Sequence, residues 1–284
     1  MTGYDSYAFR VAYDEVLAQW PAERETLTVG TPFGDTHVNA CGPRDAPPLL
    51  LLPGGGGATS ASWYGQAAEL ARTRRVLAAD LIGAPGRSVP AAGRHPRTVA
   101  DLAAWLEALL DGLGVAQTDL GGHSYGAWIA LHYALRAPGR IRRLFLLDPT
   151  QCFAGFKAAY LVHALPMLLR PSPRRVRAFL DWETQGAALD TDWLRLQEAA
   201  AGFPAVKPVT GPRPAPDALR GLDMPVLLLL GGSSRTHDTY EVANRAGALL
   251  PRVETVVLPE VSHHALPQAA PVGLAGHLTR FLSA

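Results

Sequence analysis

A chain of 284 residues, 48% apolar and 18% charged, can bury one large α/β core, which excludes disordered and fibrous classes. The net charge is +1, only Lys157 and Lys207 are lysines among 26 basic residues, and no basic run is interleaved with aromatics, so nucleic acid is not an expected partner. No apolar run approaches a membrane span, the first residues lack the pattern of a secretory leader, and Cys41 and Cys152 are isolated thiols without metal-ligand spacing; a cytoplasmic protein with reduced cysteines and no membrane partner is expected. Residues 9–20 have the spacing of a short amphipathic helix ending at Trp20-Pro21, and 26–29 and 36–40 flank the turn 31–34 as an antiparallel hairpin. Short apolar runs then follow at 49–52, 75–79, 144–147, 226–230 and 253–258, with a short strand-like segment at 117–121 before Ser124. Helical stretches separate them, at 62–72, 98–113 and 240–250, with a last one near 272–282. Buried strands alternating with helices predict an α/β fold whose mostly parallel sheet is covered on both faces.

The interval 149–222 breaks the alternation: it is rich in aromatics and proline, and its pieces are helical. It leaves the carboxyl end of the sixth predicted strand, the side on which open α/β sheets bind ligands. A helical cap over 149–222 is therefore expected, on a core made of 1–148 and 223–284. The Arg-Pro-rich stretch 170–175 within it reads as a solvated loop.

Gly122-His123-Ser124-Tyr125-Gly126 falls where a strand hands over to a helix without a breaker. A serine on such a turn is lifted above the sheet edge, and the two glycines are needed where side chains would strike the neighbouring strand and helix. A serine is a weak nucleophile at neutral pH, so it requires a base, a group to orient the base, and donors for the oxyanion. The loop after the last strand, Pro259 to Pro267, holds adjacent histidines; His263 is the preferred base, with His264 in the next slot. The four glycines after Leu52-Pro53 leave backbone amides free to face a carbonyl, and the amides of Gly55 and Tyr125 are the expected pair of donors. No Lys-Ser/Thr follows these glycines, so phosphate binding is disfavoured.

With these motifs in order, the chain resembles the α/β-hydrolases, and within them the capped bacterial carboxylesterases. The resemblance includes the hairpin at 31–34, Ser62-Trp63-Tyr64, Asp80-Leu81-Ile82-Gly83-Ala84-Pro85-Gly86-Arg87-Ser88, the elbow, Phe179-Leu180-Asp181-Trp182 and the His263 loop, and it covers nearly everything from residue 9 onward. It implies the α/β-hydrolase fold, a Ser-His-Asp triad and a structural Asp80. Two departures stand out. Pro53-Gly54 replaces the usual His-Gly of the oxyanion loop, and Ser234 occupies the slot after the seventh predicted strand where the family places its acid. Asp148, at the end of the sixth strand, is the preferred substitute and Asp238 the alternative; Asp238 would otherwise be a helix N-cap.

The expected function is cleavage of a small-molecule carboxylic ester or thioester through an acyl-enzyme, with no cofactor or metal. Trp63, Phe153, Phe156, Tyr160 and Trp182 are the candidate substrate contacts, although aromatics in a cap can equally form its own packing core. Two alternatives stay open: acyl transfer or cyclisation in a biosynthetic pathway, and a non-catalytic small-molecule receptor on the same scaffold, for which the missing acid at 234 is the best argument.

Overall fold

The computed structural model describes residues 4–21, 23–268 and 273–284. Among the described residues nine strands form one sheet: β1 Glu25–Thr31, β2 Gly34–Cys41, β3 Pro48–Leu52, β4 Arg75–Ala79, β5 Val89–Pro90, β6 Thr118–His123, β7 Ile141–Leu147, β8 Val226–Gly231 and β9 Val253–Leu258. Their order is β1-β2-β4-β3-β6-β7-β8-β9, with β5 beside β2. Pairing is antiparallel at β1–β2, β2–β4 and β2–β5, and parallel from β4 through β9. The two-residue β5 has no apolar pattern of its own and is absent from the sequence reading, so the expected sixth strand is the observed β7.

The apolar runs are buried on both faces. Leu50, Leu52, Leu144, Leu146, Leu228 and Leu230 pack into one cluster, with Leu102 and Trp105 of the helix Val99–Gly112, Ile129 of Tyr125–Arg136 and Val242 of Thr239–Leu249. Their alternate neighbours Leu49, Leu51, Phe145, Leu147, Leu227 and Leu229 pack into the other, against Phe9 and Tyr13 of the helix Ser6–Leu17, Leu70 of Tyr64–Leu70, and Leu278 of Leu274–Ser283. Side chains on a strand alternate between faces, so a continuous leucine run feeds both layers at once. Both free cysteines are buried, and burial pushes the Cys41 thiol up to about 11 and Cys152 higher.

Two element boundaries differ from expectation. The first helix spans Ser6–Leu17 rather than 9–20, because Asp5 accepts from the Tyr7 and Ala8 amides and starts it earlier. The 170–175 stretch is only partly loop: Pro173 opens the helix Pro173–Glu183, since a proline at the first helical turn needs no amide partner. Between β7 and β8 lie the helices Ala158–Leu169, Pro173–Glu183, Thr191–Ala199 and Pro216–Arg220, and no strand. No helix among the described residues is long and apolar enough to cross a membrane.

The strand order reverses at β3, which lies between β4 and β6. A crevice opens at such a switch point, outside the carboxyl ends of the strands. Residues 53–57 leave β3 there, and Ser124 leaves β6 beside them.

Candidate active site

Ser124 joins β6 to the helix Tyr125–Arg136 with φ 54° and ψ −115°, a conformation that costs a non-glycine residue roughly 1–3 kcal/mol. Packing holds it there. A Cβ on Gly122 would come within 2.4 Å of the Gly126 carbonyl, and one on Gly126 within 2.3 Å of the Pro53 oxygen. The Ser124 amide donates to the Leu147 carbonyl at 2.9 Å, tying the turn to β7.

His263 Nε2 lies 2.9 Å from Ser124 Oγ, and His263 Nδ1 lies 2.6 Å from Asp148 Oδ2. With Nδ1–H donating to the carboxylate, Nε2 carries the lone pair and faces the serine hydroxyl. Asp148 follows β7 at φ 43° and is fully buried. Its Oδ1 accepts from the Gly231 amide at 3.1 Å and from His237 Nε2 at 3.2 Å; its Oδ2 also accepts from Ser234 Oγ at 2.8 Å. Burial alone would push this carboxyl up, but the charges and hydrogen bonds of His237 and His263 hold it well below the usual carboxylate range. Asp238, the alternative acid, is exposed and caps the helix Thr239–Leu249 by accepting from the Glu241 amide at 2.9 Å. Asp80 receives Tyr13 Oη, the Ser60 amide and hydroxyl, and the Arg87 amide, and so ties the helix Ser6–Leu17 to the segments at Ser60 and Arg87.

The backbone of His263 is clamped from two sides. Its amide donates to Glu183 Oε1 and the His264 amide to Glu183 Oε2, both at 3.1 Å, while its carbonyl accepts from His123 Nε2 at 3.0 Å. Burial, and then the facing His263 and His264, depress His123 well below the ordinary imidazole value, so it is neutral and donates through Nε2–H. Sequence reasoning missed Glu183, His123 and His237 in these positions. His123 stood inside the elbow motif as a variable residue, His237 beside the candidate Asp238, and Glu183 directly after the Phe179–Trp182 motif; adjacency was the only signal, and it carries no geometry.

Gly55 and Tyr125 lie side by side: a Cβ on Gly55 would stand 3.5 Å from the Tyr125 Cβ, and neither amide has an acceptor among the described residues. Two cavities flank them. A large apolar one of about 320 Å³ is lined by Gly55, Trp105, Tyr125, Met167, Phe179 and His264 among others. A small one of about 20 Å³, room for one or two waters, touches Gly55, Trp63, His123, Ser124, Trp193 and His264.

Of the expected substrate contacts, only Trp63 borders either cavity, and it also packs edge-on against Phe145. Phe153 is 2% exposed in the sheet core. Phe156 stacks on Tyr160, whose ring meets His263 at 6.4 Å, and Trp182 stacks on His163 beneath the Arg235 guanidinium. These three pack against one another and against the histidine loop, while Met167, Phe179 and Leu180 of the same two helices form the cavity wall. Among the described residues no group of three or more His, Cys, Asp or Glu is arranged to hold a metal ion.

Residues 47–192 match the family model described as the alpha/beta hydrolase fold. The carboxylesterase YbfK of Bacillus subtilis (strain 168) is 31% identical over 264 residues, 90% of this chain and 87% of that protein. The crystal structure of carboxylesterase CesB (YbfK) superposes with a TM-score of 0.88 at 30% identity, covering 97% of each chain. That of naproxen esterase (carboxylesterase NP), also from Bacillus subtilis, gives a TM-score of 0.87 at 28% identity, again covering 97% of each chain.

Proposed function

The chain belongs to the α/β-hydrolase family and is a carboxylic ester hydrolase, and from that premise we propose that it cleaves esters or thioesters by an acyl-enzyme route through Ser124, His263 and Asp148. Ser124 Oγ attacks the ester carbonyl carbon while His263 Nε2 takes its proton. Asp148 keeps Nδ1 protonated and stabilises the imidazolium. The oxygen of the tetrahedral intermediate gains a negative charge between the Gly55 and Tyr125 amides. Collapse breaks the bond to the leaving alcohol or thiol, which receives the proton from His263. A water then attacks the acyl-enzyme with His263 as base, releasing the acid and restoring Ser124.

The observation that carries this reading is the relay of 2.9 Å and 2.6 Å ending on a strained Ser124. It also weakens the receptor reading, whose main argument was the missing acid at 234. In this proposal residues 149–222 act as the cap, supplying Met167, Phe179 and Leu180 to the large cavity. The unequal cavities favour substrates with one bulky apolar group and one small substituent.

Labelling with an active-serine phosphonate, with release of an aryl alcohol from short esters as the parallel assay, tests the mechanism. Wild type is expected to label once, at Ser124, and Ser124→Ala to lose both labelling and turnover while keeping its fold. Undiminished turnover by Ser124→Ala would sink it.

A further inference from the structure

Among the described residues nine large apolar side chains are conspicuously exposed, and five of them, Leu161, Val162, Leu165, Leu168 and Leu169, lie on the one helix Ala158–Leu169. Scattered exposed leucines need no explanation, but a contiguous patch does. These five are 49 to 71% exposed. At the α-helical 100° per residue they fall within an arc of about 120°, a single stripe along one side. The opposite side carries Tyr160, Ala164 and Met167, which pack inward.

The stripe is bordered by positive charge. From Lys157 to Leu180 the chain holds Lys157, Arg170, Arg174, Arg175 and Arg177 and no acidic residue. Arg177 pairs with Glu198 on the neighbouring helix; Lys157, Arg170 and Arg174 stand exposed. The stripe is also continuous with the large cavity, because Leu168 and Pro171 belong both to the exposed surface and to its wall.

We propose that the helix Ala158–Leu169 docks flat onto an anionic lipid surface, with its leucine stripe in the acyl region and its basic border on the headgroups. An apolar face flanked by cations matches the layering of such an interface. A second copy of this chain is the less suitable occupant, since a two-fold contact would lay the same cations against each other. This is surface attachment, distinct from a membrane span. Docking places the cavity mouth at the interface, so a lipid-dissolved ester could enter without crossing water. That last step rests on the proposed esterase chemistry; the docking does not.

Flotation with vesicles of phosphatidylglycerol and phosphatidylcholine, against vesicles of phosphatidylcholine alone, tests the attachment. Wild type is expected to float with the anionic vesicles, more weakly with the neutral ones, and at least about tenfold less when salt shortens the Debye length to about 3 Å. Arg170→Glu/Arg174→Glu is expected to lower partitioning by about 25-fold or more, a factor of about five for each basic side chain removed. Val162→Asp/Leu165→Asp, neither residue on the cavity wall, is expected to lose flotation and keep hydrolysis of a water-soluble aryl ester. Absence of wild-type flotation, equal binding to neutral vesicles, or unchanged flotation of the Asp variant would overturn the proposal. So would self-association abolished by that variant in a protein that ignores vesicles, which would assign the stripe to a second copy. Failure to float alongside intact hydrolysis of soluble ester rejects the docking alone; flotation without hydrolysis rejects the esterase reading alone.

Discussion

The Ser234 hydroxyl and the Asp148 carboxylate are joined by a hydrogen bond of 2.8 Å that links the chain after β8 to the chain after β7. The position at which related chains are expected to carry their acid thus donates to the carboxylate proposed in its place, on the same oxygen that receives His263. A swap of the two groups is the consequence to test. Asp148→Asn is expected to lower kcat by about 10³–10⁴-fold, because an amide cannot stabilise the imidazolium and can hold the wrong tautomer. Adding Ser234→Asp to that variant is expected to restore at least about tenfold, since it returns a carboxylate to hydrogen-bonding distance of the same site. Asp238→Asn is expected to change neither kcat nor stability appreciably, asparagine being as good a cap as aspartate. Equal kcat for Asp148→Asn and wild type in ester turnover would reject Asp148 as the acid.

Glu183 supplies a second test, because it reaches the base only through backbone. Its buried carboxylate receives the His263 and His264 amides, so Glu183→Gln turns an NH₂ group toward one of two N–H donors. One amide is left unpaired and the loop is pushed, at a cost of about 1–3 kcal/mol in stability. Since the base is displaced and the substrate cavity is not, kcat is expected to fall about tenfold or more with KM within about twofold. A merely structural role would lower Tm and leave kcat of the folded protein unchanged. This bond also bears on the cap expected at 149–222. Replacing that segment by a linker would remove Glu183 together with the cavity wall, so loss of turnover is expected alongside loss of selectivity.

How much of this was legible beforehand follows from which features act locally. The elbow was readable because Gly122, Ser124 and Gly126 satisfy short-range steric demands within five residues. The leucine runs were readable because burial on both faces leaves no alternation to misjudge. The nearness of Asp148 to the crevice was readable, since a strand's carboxyl end lies on the binding side wherever the strand sits in the sheet. What escaped depends on chain segments meeting across the crevice. Glu183 meets His263 and His264 across 80 and 81 residues of sequence, and His237 meets Asp148 across 89. The residues of the cavity wall escaped for a related reason. Composition marks the helices as aromatic, but which face of Pro173–Glu183 turns inward is set by packing, and it presents Phe179 and Leu180 to the cavity while Trp182 stacks on His163.

The adjacent histidines differ in what they touch. His263 lies between Ser124 and Asp148, whereas His264 packs edge-on against Phe179. His263→Ala is expected to abolish turnover, and His264→Phe to retain most of it. Burial, followed by the neighbouring His263, lowers His264 to about 4. A histidine depressed in the folded state is protonated first in the unfolded chain, so its contribution to stability is present above the ordinary value of about 6.5 and is lost as pH falls toward about 4. His264→Phe removes that penalty. Relative to wild type its Tm is expected to rise between pH 6.5 and pH 4, corresponding to roughly 2 kcal/mol after allowance for solvent at the ring's part-exposed edge. Parallel Tm–pH curves for the two proteins would show that His264 carries no such linkage.

Selectivity is expected to follow the cavity wall. Val176, Phe179 and Leu180 share one face of their helix and line the large cavity; Trp182, on the same helix, does not. Val176→Trp adds an aromatic ring to a volume of about 320 Å³ and leaves the small compartment by Ser124 untouched. One methylene of misfit in an apolar pocket is worth about 1–3 kcal/mol, so a whole ring excludes any group that fills the space. For esters with a bulky apolar group, kcat/KM is expected to fall by about 100-fold or more, and for an acetate ester of a small alcohol by less than about threefold. Trp182→Ala is expected to leave the ratio of the two within about twofold of wild type, losing the stack on His163 and the contacts with Arg235 and Tyr160, which lie off the cavity wall. Measuring kcat/KM for both esters on all three proteins decides the matter. A ratio that moves with Trp182 and not with Val176 would assign recognition to the aromatic cluster over the histidine loop and leave the large cavity without a role.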